Sequence, residues 1–285
     1  MPRPDMADDN PRFAAADADS VTPPRVNPLF HWTRETWGLA LRAAPLDAHA
    51  QHLFTSAQLR LPAQASHDQR ERAWRAVAAS LGASRDRVVR VRQVHGRGVR
   101  VVEAQDGPPD TSLLPDGDAI VSNLSGAILA VVVADCVPLL LVDPRLGAAA
   151  AIHAGWRGTC AGVTTAAVEA MRKAWGTRPE DVVAALGPSI GPDDYQVGEP
   201  LIEAFAQAGH AATLDRWFSR RRGVLRLDLW RANVDQLIAA GVSAERICTA
   251  EVSTPAHPGW FESYRRDGPA AGRLVAAVAV PPSRG

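Results

Sequence analysis

The sequence is poor in cysteine and has no excess of either charge. Its 285 residues contain only three cysteines, Cys136, Cys160 and Cys248, each in a different sequence context. An odd, scattered set argues against a disulfide framework, so we expect reduced thiols and a cytoplasmic location. Lys+Arg and Asp+Glu both total 31. Because nucleic-acid-binding proteins usually carry a basic excess or stripe, this balance predicts no nucleic-acid partner.

Long apolar runs are also missing. The longest one, from Ala127 to Ala134, is far too short to span a bilayer, so we expect no membrane partner. Residues 1–28 hold six prolines among small and acidic residues and lack the apolar segment of a secretory signal. This composition predicts a disordered tail at 1–28 and a single folded domain at 29–285.

Apolar periodicity predicts a mixture of strands and helices. The predicted strands lie at 52–61, 88–94, 98–103, 127–134, 137–142, 148–152, 182–186, 246–250 and 274–280, and the predicted helices at 67–81, 160–175, 199–208 and 229–240. Hairpin-like strand pairs alternate with helical crossovers, which indicates an α+β domain rather than a doubly wound sheet. No G-x-G-x-x-G follows a strand and no G-x-x-x-x-G-K-[ST] occurs, so standard dinucleotide and P-loop sites are excluded.

Three side chains that can bind a metal stand where predicted buried strands end. They are His95 in Q-V-H-G, Cys136 in A-D-C-V-P, and His153 in I-H-A-G-W-R-G. Strand ends followed by glycine bring side chains and open backbone together at a sheet edge. One thiolate and two imidazoles form the ligand set of a catalytic zinc that keeps a fourth position open for water or substrate.

Two other interpretations of these residues stay open at this stage. A cysteine between apolar strands is often a small core residue, a histidine is often a satisfied polar group, and these spacings match no known ligand signature. Alternatively, Cys136 is a nucleophile with His153 or His95 as its base, which conflicts with a zinc-bound thiolate. Asp135 favours a functional site, because a charge inside so apolar a run is costly unless it is paired or functional.

A second candidate cluster lies near the C-terminus, at F-E-S-Y-R-R-D-G. Tyr264, Arg265 and Arg266 combine an aromatic ring with adjacent guanidinium groups, which suit a phosphate or a flat base. The alternative is a solvated turn in which Asp267 pairs with an arginine. The pattern alone does not decide between the two.

Five motifs together resemble a known family. Q-V-H-G, A-D-C-V-P-L-L-L-V-D-P, A-A-I-H-A-G-W-R-G-T, L-G-P-S-I-G-P and F-x-S-Y-R-R-D-G occur in the order typical of the YfiH-like family, over residues 88–280. That family is also called the laccase-domain or polyphenol oxidase family and includes the peptidoglycan editing factor. The resemblance implies a CNF1/YfiH-like α+β fold of mixed β-sheets flanked by helices. It also implies that 29–285 is a catalytic domain with zinc on His95, Cys136 and His153, copper being the less favoured metal.

The activity implied by the resemblance is phosphorolysis of purine nucleosides. Adenosine, inosine, guanosine or methylthioadenosine would be the substrate, inorganic phosphate the co-substrate, and adenosine deamination a side activity. We expect a monomer that binds neither nucleic acid nor a membrane. The hypothesis assigns catalysis to Cys136, Asp135 and Arg157, and substrate binding to Gln93, Tyr264, Arg265 and Arg266.

Other functions linked to the family are tested by the residues themselves. A multicopper laccase needs several H-x-H or H-C-H pairs, and none occurs among the eight histidines, so copper-dependent polyphenol oxidation is disfavoured. A zinc deaminase of the H-x-E…P-C-x-x-C type is excluded, because no C-x-x-C exists. A cytoplasmic amidase that edits UDP-muramoyl peptide precursors, with Cys136 as nucleophile, stays open, as does a metal-binding or partner-binding module without catalysis.

Overall fold

Two six-stranded sheets form the centre of the structure, a computed structural model that describes residues 22–103 and 114–281. Within these residues the strands are β1 Phe30–Glu35, β2 Gly38–Ala43, β3 His52–Thr55, β4 Val88–Val89, β5 Val99–Val102, β6 Ala119–Ser122, β7 Ile128–Val133, β8 Val137–Asp143, β9 Ala148–Ala154, β10 Val183–Leu186, β11 Phe218–Arg221, β12 Val224–Leu227, β13 Ile247–Thr249 and β14 Leu274–Ala279. The α-helices are α1 Ala44–Asp47, α2 His67–Ser80, α3 Trp156–Ala161, α4 Val163–Trp175, α5 Pro200–Phe205, α6 Leu214–Trp217, α7 Leu229–Ala239 and α8 Tyr264–Asp267.

Both sheets mix parallel and antiparallel pairs. The first has the order β1-β2-β3-β14-β7-β4 and is antiparallel except for the β4–β7 pair. The second has the order β13-β10-β8-β9-β6-β5, with parallel pairs only at its two edges. Helices flank these mixed sheets, so the α+β prediction is confirmed.

The layers follow from side chains that alternate across each strand. In β8, Leu140 faces the other sheet and packs in one cluster with Leu129 of β7. Its neighbour Leu139 points the opposite way, into a cluster with Met171 of α4. On the outer face of the first sheet, Trp74 of α2 packs against strand residues. Because both faces of β8 are covered, all seven of its residues are buried.

Several predicted boundaries were wrong for local reasons. The strand predicted at 52–61 ends at Thr55, because Ser56 caps a 3-10 turn. The strand predicted at 88–94 spans only Val88–Val89. The helix predicted at 160–175 begins earlier, at Trp156, and is interrupted by Gly162, whose φ of 79° is left-handed.

Several short strands were missed altogether. The β1–β2 and β11–β12 hairpins and the strand β6 were not predicted. The β11–β12 hairpin contains the consecutive arginines Arg220, Arg221 and Arg222. Its two-residue turn has positive φ at both Arg222 and Gly223, the geometry that matches the twist of a tight hairpin.

The predicted tail falls largely outside the described residues, which begin at Thr22. From there the chain lies against the domain: Asn27 N donates to Ala250 O, and Trp32 Nε1 donates to Pro24 O. No helix among residues 22–103 and 114–281 is both long and apolar enough to cross a membrane.

Candidate metal centre

The register of the β8–β9 pair brings Cys136 and His153 to the same end of the second sheet. Pro138 pairs with His153 and Val137 pairs with Ala154, so Cys136, one residue before β8, lies opposite Gly155. That position demands glycine. A Cβ atom at Gly155 would lie 2.8 Å from Cys136 Sγ and 3.1 Å from His95 Cδ2.

A strained loop brings His95 to the same place. His95 has a φ of 60°, in the left-handed region that costs a non-glycine residue about 1–2 kcal/mol. Its backbone N–H and that of Gly96 both donate to the carboxylate of Asp118, at 2.9 and 2.6 Å. Asp118 directly precedes β6, which pairs with β9, and is fully buried. The loop is therefore attached to the strand next to His153.

The three predicted ligand side chains converge. The ligand atoms of His95, Cys136 and His153 all lie within 4.8 Å of one another. Cys136 Sγ lies 3.9 Å from His95 Nε2, and the two imidazole rings meet edge to face with centroids 4.8 Å apart. His153 is buried, Cys136 is half-buried and His95 is exposed. His95 therefore lies on the solvent side of the cluster and His153 on its inner side.

The donor set fits a zinc ion. His153 Nδ1 lies 2.8 Å from Asp118 Oδ1, and since a carboxylate only accepts, Nδ1 carries the proton. This leaves Nε2 available to a metal, the arrangement that metal-binding histidines adopt when a carboxylate orients them. With Cys136 and His95, the set is two nitrogens and one sulfur, as in catalytic zinc sites with an open position. That these side chains bind zinc stays a prediction.

Cys136 and His153 change each other's protonation. Burial alone would raise the pKa of the Cys136 thiol, but the charge of His153 and hydrogen bonds from both imidazoles outweigh it and lower this pKa. Burial alone would lower the pKa of His153, but the Cys136 sulfur and the Asp118 carboxylate outweigh it and raise this pKa. The site thus favours a thiolate, the form of cysteine that binds metals and attacks electrophiles.

A cavity of about 670 Å³ adjoins the three side chains. It is large enough for a small organic substrate. Its lining includes the proposed ligands, the rings of Trp156, Tyr195 and Tyr264, and the cations Arg157, Arg265 and Arg273. Two of the cations lie over rings: the Arg157 guanidinium is 4.3 Å from the Trp156 ring centroid, and that of Arg265 is 5.1 Å from the Tyr195 ring centroid. The cavity therefore offers positive charge and aromatic faces together.

Known proteins match the chain over most of its length. The family model described as "Multi-copper polyphenol oxidoreductase laccase" matches residues 47–281. The chain belongs to this laccase-domain, YfiH-like family. The purine nucleoside phosphorylase of Deinococcus radiodurans is 41% identical over 209 residues, 73% of this chain and 76% of that protein. Adenosine deaminase RL5, from an unknown prokaryotic organism, is 35% identical over 206 residues, 71% of this chain and 78% of that protein.

A solved structure shares the fold of this YfiH-like chain. The crystal structure of YlmD from Geobacillus stearothermophilus superposes with a TM-score of 0.76 at 28% identity, over 88% of this chain and 98% of that one. The family resemblance and the fold inferred from the five sequence motifs are thus confirmed.

Asp135 lies in the cavity wall of this YfiH-like chain but has both carboxylate oxygens engaged. Thr254 Oγ1 donates to Oδ1, and the backbone N–H of Arg265 donates to Oδ2, each at 2.6 Å. Its φ is 85°, and its carbonyl accepts a bond from Ile190 N at 2.9 Å. Asp135, the residue before Cys136, therefore holds the C-terminal segment against the site. Its proposed catalytic role stays a proposal.

Three of the four proposed substrate-binding residues line the cavity, and one does not. Gln93 lines the cavity, and its side-chain amide exchanges two hydrogen bonds with the backbone of Val132. Tyr264 also lines it and is 53% exposed, so its ring is accessible. Arg266 is not among the lining residues: its guanidinium binds Asp267 and the carbonyl of Phe261. The structure thus brings Gln93, Tyr264 and Arg265 to the cavity, and leaves Arg266 beside it.

Sequence reasoning missed Asp118, Tyr195 and Trp156. Asp118 had a signal, because it is a charged residue immediately before a strand whose residues are all buried. Trp156 had one as well, because it stands three residues after His153 in I-H-A-G-W-R-G. Tyr195 had none: its place in the cavity depends on how distant segments fold together.

Proposed function

We propose that this protein is a zinc-dependent purine nucleoside phosphorylase. The observation that carries the proposal is the convergence of His95, Cys136 and His153 at the wall of a cavity that also presents arginines and aromatic rings. The names of the relatives support the same activity, and the deaminase among them supports adenosine deamination as a side activity. No nucleic acid is needed as a partner, and one chain supplies all the residues named.

The reaction sets two requirements that these residues can meet. A phosphate oxygen forms a bond to ribose C1′ while the C1′–N9 bond breaks, and the electron pair of that bond goes to the purine, which takes up a proton. Arg157 and Arg265 can hold the phosphate dianion, and the accessible ring of Tyr264 can stack on the base. Zinc bound to the three ligands would supply a Lewis acid that polarises an oxygen of the substrate.

Positioning accounts for the rest of the proposed mechanism. Holding phosphate and nucleoside in one cavity turns a bimolecular step into an effectively unimolecular one. Arg265 is held for this role by its backbone bond to Asp135 and by donation from Nη1 to Gln196 O at 2.9 Å. Arg157 is placed by α3, which begins at Trp156, three residues after His153.

The test is phosphate-dependent release of the base. Zinc-replete protein is incubated with adenosine, inosine, guanosine or methylthioadenosine, with and without phosphate, and the free base and ribose 1-phosphate are quantified. We expect both products in equal amounts and only with phosphate. Absence of release from all four nucleosides would overturn the proposal.

The phosphate site is tested by replacing one of its proposed arginines. Arg157→Gln should raise the KM for phosphate at least tenfold. Arg178 is an exposed arginine bound to Asp181, so Arg178→Gln should leave the KM unchanged.

A competing function is favoured by one specific observation: Cys136 Sγ lies 3.9 Å from His95 Nε2, beside imidazoles that lower the pKa of its thiol. In this alternative the protein is an amidase on UDP-muramoyl peptide precursors, with Cys136 as a free thiolate nucleophile. Release of an amino acid from such a dipeptide by metal-free protein, and loss of this activity on adding zinc, would favour the amidase. Phosphorolysis that requires zinc, with no release of an amino acid, would favour the phosphorylase over the amidase.

A further inference from the structure

One buried carboxylate contacts two of the three proposed metal ligands. Asp118 Oδ1 accepts hydrogen bonds from the ring Nδ1 of His153 at 2.8 Å and from the backbone N–H of His95 at 2.9 Å. Asp118 Oδ2 accepts from the backbone N–H groups of Gly96 at 2.6 Å and Val94 at 3.3 Å. The side chain is fully buried, so these four donors take the place of water around its charge.

The bonds act on the two histidines in different ways. The bond to Nδ1 selects the tautomer of His153 and the rotation of its ring. The three consecutive N–H groups instead form a concave anion site, which requires the left-handed backbone of His95. A non-glycine residue in that conformation is strained, and the hydrogen bonds to the carboxylate offset this strain. Without them, we expect the His95 loop to relax to another backbone conformation.

We propose that Asp118 is a positioning residue that sets the metal affinity, because it orients His153 through its ring and His95 through its backbone. The inference rests on the metal site of the proposed function but not on the reaction assigned to it. Residues 94–96 and 153 come from segments far apart in the chain, and His153 N also donates to Asp118 O at 2.7 Å. One residue thus fixes the distance between two ligands before the ion arrives, which lowers the entropic cost of binding.

The opposing view gives Asp118 a purely structural role. The carboxylate would then stabilise the fold, and its loss would lower the unfolding midpoint while folded molecules bound zinc as before. The two views differ in the zinc affinity of the folded protein, which is measurable independently of any turnover.

The experiment compares Asp118→Asn with the control Asp116→Asn, an exposed acid two residues away that pairs with Arg92. Zinc dissociation constants are measured by competition with a chromogenic chelator at a temperature where each variant is folded by circular dichroism. We expect Asp118→Asn to weaken zinc binding about 10–100-fold, as loss of a carboxylate behind a histidine ligand does, and Asp116→Asn to leave it unchanged. Equal zinc affinity of Asp118→Asn and unaltered protein would overturn the proposal.

A second measurement needs no variant and covers the case in which Asp118→Asn does not fold. Long-range ¹H–¹⁵N spectra of the zinc-loaded unaltered protein report which nitrogen of each histidine is protonated. We expect His153 to bind through Nε2 with its proton on Nδ1. Binding through Nδ1, or a chain that holds no zinc, would overturn the proposal. Tight zinc binding without phosphorolysis would instead contradict the proposed function, while the proposal that Asp118 positions the metal ligands would stand.

Discussion

Two buried histidines in this protein show how neighbours decide what burial does. His52, at the start of β3, is fully buried, and His153, at the end of β9, is 3% exposed. His52 Nε2 accepts from Ala43 N at 2.8 Å, and its Nδ1 donates to Ala50 O at 3.0 Å. Burial lowers the pKa of His52 to about 4, whereas the Cys136 sulfur and Asp118 carboxylate overcome burial and raise the pKa of His153.

The difference separates a structural histidine from a candidate functional one. Both nitrogens of His52 are occupied by backbone groups, so the neutral ring completes the fold and offers nothing to a ligand. His153 uses Nδ1 to bind Asp118, and its other nitrogen faces the Cys136 sulfur in a cluster that also contains a second imidazole. Burial alone is therefore uninformative, and the partners of each ring nitrogen carry the functional signal.

The largest expected effect comes from replacing the functional histidine. His153→Ala removes one of three ligands, so zinc affinity should fall at least about 100-fold, more than loss of a residue behind a ligand. Zinc per chain after dialysis measures this. His52→Gln should keep one zinc per chain while lowering the unfolding midpoint. Equal zinc content in His153→Ala and unaltered protein would show that His153, like His52, is not a metal ligand.

Metal removal should expose the next largest difference, in cysteine reactivity. In metal-free protein at pH 7, Cys136 should react with iodoacetamide at least about 100-fold faster than Cys248, because the histidines lower its pKa while burial raises that of Cys248 to about 12. Zinc should abolish the difference by occupying the thiolate. Peptide mass spectrometry over a time course gives both rates. Undiminished alkylation of Cys136 in zinc-loaded protein would place the metal elsewhere.

A smaller effect is expected at the glycine opposite Cys136. The Cβ of Gly155→Ala would meet Cys136 Sγ at 2.8 Å and must displace it, so zinc affinity should fall about tenfold, or roughly 1.4 kcal/mol. Gly198→Ala is the matched control, because its Cβ would meet only Pro200 Cδ at 3.4 Å. Competition with a chelator compares the two. Similar zinc affinities would show that the site tolerates displacement of its sulfur.

The smallest effect on metal binding is expected at the structural histidine, which acts instead on the pH dependence of stability. The folded pKa of His52 is below its unfolded value of 6.5, so the unfolded state binds more protons between pH 6.5 and about 4. Its contribution to stability is complete above pH 6.5 and falls as pH drops, by roughly 1 kcal/mol per unit. Urea unfolding of metal-free protein at several pH values should show a shallower decline for His52→Gln. Parallel declines would assign the acid sensitivity to other groups.

Sequence reasoning predicted the part of the fold that depends on strong apolar patterns. The runs that became β7, β8, β9 and β14 were recognised because both faces of these strands are buried. The β1–β2 hairpin was missed, since its polar residues carry no such pattern. The family motifs supplied the mixed-sheet architecture, which residue spacing alone could not.

The ligand side chains of the candidate site could be predicted from the sequence, but the backbone geometry that brings them together could not. His95, Cys136 and His153 were recognisable as metal-competent residues at strand ends. Their convergence depends on the β8–β9 register and on the left-handed turn at His95, and neither is visible in residue types. Tyr195 entered the cavity through long-range packing, and Arg266 pairs with Asp267 beside it, much as the alternative of a turn-stabilising ion pair anticipated.

The most direct test of the metal centre is cobalt substitution of metal-free protein. The account predicts one Co²⁺ per chain, a tetrahedral d–d spectrum and a thiolate-to-cobalt charge-transfer band that Cys136→Ser abolishes. A spectrum without that band, or one that survives in Cys136→Ser, would contradict it.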